Sequence, residues 1–286
     1  MTLTVSQGFD KLLDRLIPLA SQRAAATKHR ASVEASLKSA MPVNLFREVG
    51  SFGHGTGVRG FHDVDLLVSI KATRPDSSDT ALRWVRDALN ASFPYTPVRV
   101  SRPAVVVEFA GKDETWEVIP GLITSNNDSV KVYDIPGAAS GWMRSAPLEH
   151  LAYVNSVNNA DDIKGGAKKL ARLVKAWKYY NDVPISSFYL EMRAAQYMTD
   201  EPSFIASQDM CRFLERLHRS GLDAMNDPKG VSGRFYACSS NAKAAEALSK
   251  VATASTRARK ATDASDPATA FRYFDLLFNG HFPARV

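Results

Sequence analysis

Two cysteines in 286 residues, Cys211 and Cys238, with no CxxC and no His/Cys cluster, leave neither a disulfide framework nor a zinc site. Both are expected as buried, reduced thiols. No run approaches the roughly 18 apolar residues of a membrane span, and residues 1–10 carry no basic stretch leading into an apolar segment. The expectation is a cytoplasmic protein with no membrane partner. Internal repeats and low-complexity tracts are also missing, and the Ala- and Lys-rich stretch 242–264 reads as a solvated helix of high propensity. Excess charge is modest: 36 Lys and Arg against 30 Asp and Glu give +6, which weakly favours a polyanionic ligand such as a nucleotide, nucleic acid or acidic membrane surface without requiring one. What is present is an ordinary globular composition, 45% hydrophobic and 23% charged, on a chain long enough for two lobes.

The order of elements separates the halves. Phe9, Leu12, Leu13, Leu16, Ile17 and Ala20 recur at helical spacing, so residues 5–40 read as one long amphipathic helix with a kink at Pro18. A strand at 44–50, a glycine-rich stretch at 51–57 and a strand at 63–70 follow. Residues 80–93 read as a helix with Leu82, Val85, Leu89 and Phe93 on one side. Strands at 104–110 and 114–119 flank Gly111-Lys112-Asp113, a short loop suited to a hairpin. Beyond Pro136-Gly137 the periodicity is helical, at 148–158, 166–180, 187–198, 209–221, 242–263 and 266–278.

Chemistry concentrates in the first half. On a strand, Asp63 and Asp65 project to one side about 7 Å apart, a repulsive arrangement that a divalent cation compensates most directly. Leu66, Leu67 and Val68 place these acids at the start of a buried element. A bare Asp-x-Asp is ordinarily an exposed strand end. Here Gly50-Ser51 closes the preceding strand, where the glycine lets backbone approach a phosphate and the serine adds a hydroxyl.

A hydrophobic strand, Gly50-Ser51, about a dozen residues, and Asp63-Val64-Asp65 entering a second strand together resemble the nucleotidyltransferase fold of the DNA polymerase beta superfamily. That resemblance implies a third carboxylate on a later strand, with Glu108 and Glu117 as candidates. Glu117 is preferred, because Trp116-Glu117-Val118-Ile119-Pro120 ends as the third-carboxylate strand usually does there, although Asp is commoner at that place. Glu108 reads instead as a cross-strand or surface acid.

In the second half, segment 168–191 reads as a helix, an Asn181-Asp182-Val183-Pro184 turn, and a helix capped by serine. It resembles the cGAS/DncV-like nucleotidyltransferases. By that resemblance Lys175 and Ser187 hold the donor triphosphate and Phe188 stacks on a base, with a solvated lysine, a plain N-cap and a core phenylalanine as the bland alternatives. Asn226-Asp227-Pro228-Lys229-Gly230 resembles the family's Asp-Pro turn near the cleft, or is a plain turn.

The expected architecture is α+β: a polymerase-beta-like nucleotidyltransferase core at 1–140, with a mixed β-sheet, flanking helices and a long N-terminal helix, then a helical nucleotide-binding lobe at 141–286, and the active site in the cleft between. The resemblance implies catalytic and metal-binding acids Asp63, Asp65 and Glu117 holding two Mg²⁺ ions, with Mn²⁺ as a substitute. Gly50, Ser51, Lys175, Ser187 and Phe188 would bind nucleotide. It implies ATP, GTP or other NTPs as substrates, joined into a cyclic di- or trinucleotide with release of pyrophosphate, in bacterial antiphage signalling alongside an activating protein from the same operon. No His/Cys insertion is present, so direct DNA activation is not expected. The alternatives are nucleotidyl transfer to RNA ends, a small molecule or a protein, and a nucleotide sensor without turnover.

Overall fold

Thr4 opens the first helix with a reciprocal capping box to Gln7, and Phe9, Leu12, Leu13 and Leu16 supply its buried face, giving α1 (Val5–Leu16). The computed structural model describes residues 2–61, 63–109, 114–127 and 130–286, with backbone alone at 20–26 and 125–127. The expected 111–113 hairpin loop lies outside them.

The single kinked helix of the sequence reading is two helices. Ile17 is extended and α2 (Ala20–Ala40) begins only after Pro18. The proline has no amide to donate and its ring turns the preceding residue away from helical angles. The break matters because each helix then buries its own face. In α1 that face meets Phe274, Phe278 and Phe282 of the helical half, whereas Val33 and Leu37 of α2 join the core under the sheet.

The sheet is built from β1 (Val43–Val49), β2 (Asp63–Ile70), β3 (Val98–Ser101), β4 (Ala104–Phe109), β5 (Glu114–Asn127), β6 (Val130–Pro136) and β7 (Trp142–Ser145). Its main path runs β1-β2-β5-β4-β3, with β6 beside the second half of β5 and β7 beyond it. Only β2 and β5 are parallel. Sequence patterning missed β3, β6 and β7, and it ended β5 at residue 119. Pro120 does not stop that strand: residues 119–121 stay paired with β2, and they lie between the β4 pairing, which ends at Val118, and the β6 pairing, which starts at Leu122.

One face of the sheet is apolar. Val64, Leu66, Val68 and Ile70 of β2, Val105 and Val107 of β4, and Trp116 and Val118 of β5 pack on Leu82, Val85 and Leu89 of α4 (Ser78–Ser92) and on α2. Strand alternation then puts Asp63, Asp65 and Glu117 on the opposite face.

That opposite face looks toward the helical half. Its helices are α5 (Pro147–Asn158), α6 (Gly166–Tyr180), α7 (Ser187–Thr199), α8 (Ala206–Arg219), α9 (Asn241–Thr262) and α10 (Pro267–Leu277), with a small hairpin β8 (Met225–Asn226) and β9 (Arg234–Phe235). They share one core that includes Trp177, Tyr189, Phe213 and Phe274. Cys211 lies inside this half and is buried, as expected, but Cys238 is only half-buried because it sits beside the core at the end of a surface segment. Both are free thiols. Among the described residues no helix is long and apolar enough to cross a membrane.

Candidate active site

The parallel register sets the acids. Asp65 lies opposite Glu117, and Asp63 opposite Thr115 one pleat away, so the three carboxylates share one face. Glu108, on β4, pairs with Thr115 of β5 and is engaged by Arg99, whose Nη2 lies 3.3 Å from Glu108 Oε1. The backbone therefore brings Glu117, rather than Glu108, beside Asp65. Burial, then the charges of Glu117 and Asp63, hold the Asp65 carboxyl well above its ordinary range. Burial and Asp63 likewise raise Glu117, partly offset by Arg99 and by a hydrogen bond with Asp65.

Such crowding of hard oxygen ligands fits a divalent cation. Among the described residues no group of three or more His, Cys, Asp or Glu side chains stands gathered so as to hold a metal ion. The site is instead open at the exposed Asp63 end.

Gly50 touches this site directly. It adopts φ +57°, and a Cβ there would stand 1.9 Å from Asp65 Oδ2, so no other residue fits without moving the carboxylate. The chain turns at Gly50 into a single short helix, α3 (Gly50–His54), a feature not visible as helix in the glycine-rich sequence. Ser51 follows within that turn, and its carbonyl accepts the amide of Thr56 at 3.0 Å.

From the other side come α6 and the start of α7. Lys178 Nζ donates to Ser187 Oγ at 2.8 Å, and the Tyr179 hydroxyl lies 3.1 Å from the same oxygen. Ser186, not Ser187, caps α7 by accepting the amide of Tyr189, so the Ser187 hydroxyl is not used for capping. Burial and the neighbouring charge of Lys175 lower Lys178 to about 8, with Asp63 acting in the opposite direction. Tyr179 is raised by burial and feels Asp63, Asp65 and Glu117. Ser187, Lys178 and Tyr179 thus border the carboxylate face.

Lys175 is placed differently. Only 1% of its surface is exposed; Nζ donates to Thr56 Oγ1 at 3.2 Å and lies 3.6 Å from Glu191 Oε2. Burial lowers its pKa, against the raising influence of Glu191 and Asp65. Phe188 is half-buried, its ring edge-on to His150 at 5.3 Å and to Phe235 at 4.9 Å. Asp227 is the anchor of a turn: its carboxylate accepts the amides of Lys229, Val231 and Ser232 and lies 3.2 Å from His150 Nε2.

Sequence reasoning missed Lys178, Tyr179, His54, Thr56 and Glu191. Lys178 stands three residues after Lys175 on the same helical face, a spacing that would have flagged it. His54 and Thr56 carried no signal beyond their place among glycines.

Residues 3–158, more than half of the chain, match the family model described as the Second Messenger Oligonucleotide or Dinucleotide Synthetase domain. A probable cyclic nucleotide synthase of Bacillus cereus (strain VD146) is 24% identical over 227 residues, covering 68% of each chain. Among solved structures, CdnC of E. coli MS115-1 with ATP superposes with TM-score 0.78 at 17% identity, covering 99% of both chains. The Bradyrhizobium diazoefficiens CD-NTase CdnG in complex with GTP gives TM-score 0.77 at 13% identity, over 97% of this chain and 95% of that one. These structural likenesses establish the polymerase-beta-like fold, and with the family match over more than half of its length the chain belongs to the second messenger oligonucleotide or dinucleotide synthetase family of nucleotidyltransferases.

Proposed function

We propose that this protein is a Mg²⁺-dependent nucleotidyltransferase that joins NTPs into a cyclic di- or trinucleotide, serving antiphage signalling with an activating protein partner. The observation that carries the reading is the Asp65–Glu117 register with Asp63 one pleat away, set against the Gly50-Ser51 turn. Residues 1–140 form the catalytic core and 141–286 the nucleotide-binding lobe, with α1 lodged against the second.

Asp63, Asp65 and Glu117 would hold the cation. A Mg²⁺ held there would supply charge neutralisation for the triphosphate and leaving group and would lower the pKa of an acceptor ribose hydroxyl. The Gly50-Ser51 turn presents backbone and a hydroxyl to the phosphates from one side. Lys178 and Ser187 face them from the other, at the positive end of α7. Lys175 adds its charge from beneath rather than by open contact, and Phe188 forms the wall against which a base lies. A ribose oxygen attacks the α-phosphorus, forming the new P–O bond as the bond to the β-phosphate oxygen breaks. Pyrophosphate leaves, and the hydroxyl proton passes to solvent. Repetition on the linear intermediate, turned round in the cleft, closes the ring.

Purified protein incubated with four NTPs and Mg²⁺ or Mn²⁺ should yield phosphatase-resistant, nuclease-sensitive products identifiable by mass spectrometry. D65A and E117A should each lower their formation by at least about a hundredfold. Identical product profiles from wild type and D65A would overturn the reading.

A further inference from the structure

We infer that Glu191 is a positioning residue that sets the Gly50-Ser51 phosphate turn by gripping the loop behind it from the helical half. The inference rests on the reading of that turn as the triphosphate cradle.

The loop leaving Ser51 is held from across the cleft as well as by its own half, where Phe52 packs on the core under the sheet. Glu191 of α7 is 3% exposed, and its two carboxylate oxygens are used separately: Oε1 by His54 Nδ1, and Oε2 by the hydroxyl of Thr56. Lys175 of α6 completes the group, donating to Thr56 Oγ1 at 3.2 Å while lying 3.6 Å from Glu191 Oε2. The Thr56 hydroxyl therefore donates to the carboxylate and accepts from the ammonium, which fixes its rotation. Arg172 of α6 adds two bonds to loop carbonyls, Nε to Gly57 at 3.1 Å and Nη2 to Gly55 at 2.5 Å. Seven residues, from α6, α7, the end of α3 and the loop after it, thereby form a connected polar group.

The link to chemistry is short. The Thr56 amide donates to the Ser51 carbonyl, and the Gly55 amide to Phe52 and Ser51, so a displacement of Thr56 moves Ser51 by one hydrogen bond. Gly50 in turn abuts Asp65, leaving no slack on the other side. Buried charged networks are costly unless every member is satisfied, and a two-pronged carboxylate between a histidine and a threonine specifies geometry that an apolar contact would not. Nothing in the group needs to touch substrate. Glu191 acts through Thr56 and His54.

The test measures equilibrium binding of each of the four ribonucleoside triphosphates, with Mg²⁺, to wild type, E191A, E191Q and T56V by calorimetry, at a temperature where circular dichroism shows each variant folded. E191A should weaken triphosphate binding roughly ten- to a hundredfold, as displacement of a positioning contact does. E191Q keeps an acceptor for Thr56 and should recover most of that loss. T56V, which removes only the shared hydroxyl, should lose severalfold and stands in if E191A does not fold. Folded E191A or T56V binding triphosphate as wild type does would overturn the inference, because a merely structural role lowers thermal stability without changing affinity in the folded protein. Wild type that binds triphosphate but forms no product counts against the catalytic reading alone; wild type that binds none of the four overturns both.

Discussion

At the scale of single residues, the site is governed by what burial does to charge. Asp65 and Glu117 are raised toward their protonated forms by burial first and then by the carboxylate crowding that suits them to a cation, whereas Lys178 is lowered to about 8 by burial and Lys175. A lysine lowered in this way is charged below its folded value and loses the charge as pH rises through it. Triphosphate KM should accordingly climb severalfold between pH 7 and 9 in wild type, a pH series of initial rates being the measurement. K178R keeps a cation throughout this range and should flatten that climb. Glu191 shows the opposite outcome of burial: desolvation alone would raise it, but the hydrogen bond from His54, the charge of Lys175 and the Thr56 hydroxyl together bring it down to about 2. Of these residues the sequence made Asp63, Asp65, Gly50 and Ser51 legible because they are close in the chain and carry a spacing. Glu191 and His54 were illegible because 137 positions separate two partners that only folding joins.

At the scale of elements, α6 and α7 divide the work between structure and chemistry. Two adjacent serines look interchangeable in sequence, yet Ser186 caps α7 and Ser187 points its hydroxyl to Lys178 and Tyr179. The two should separate cleanly on substitution. S186A is expected to cost about 1 kcal/mol of stability by denaturant unfolding, with turnover retained. S187A should do the reverse, leaving stability within about 0.5 kcal/mol and raising triphosphate KM severalfold. Element boundaries were read well where the element's own pattern is strong, as for α6 and β2. They failed where a partner strand decides the matter. β3 and β7 are four residues each, too short to show a pattern, and β5 continues through Pro120, where it stays paired with β2 between the β4 and β6 pairings.

At the scale of the molecule, two cores are joined by the N-terminal segment and by the polar group around Glu191. Phe9 of α1 sits fully buried among Phe274, Phe278 and Phe282, so the first helix of the chain belongs physically to the last. F9A should lower unfolding free energy by about 3–5 kcal/mol, measured by urea denaturation, because it empties a site lined by three rings that have little room to collapse. The two halves of the chain are thus interlocked, and the cleft between them is framed by elements whose positions depend on both.

The sequence by itself determined the chemistry on offer: which acids alternate to one face of β2, where glycine permits a phosphate turn, and which half is helical. These are local properties, set by spacings of two and of three to four residues. Tertiary structure decided that Glu117, which the sequence pattern favoured, stands beside Asp65, since that is a matter of register between strands about fifty residues apart. It also decided that Lys175 is buried against Glu191 while Lys178 reaches Ser187, because the facing of a helix depends on what packs against it and not on the period of its own residues.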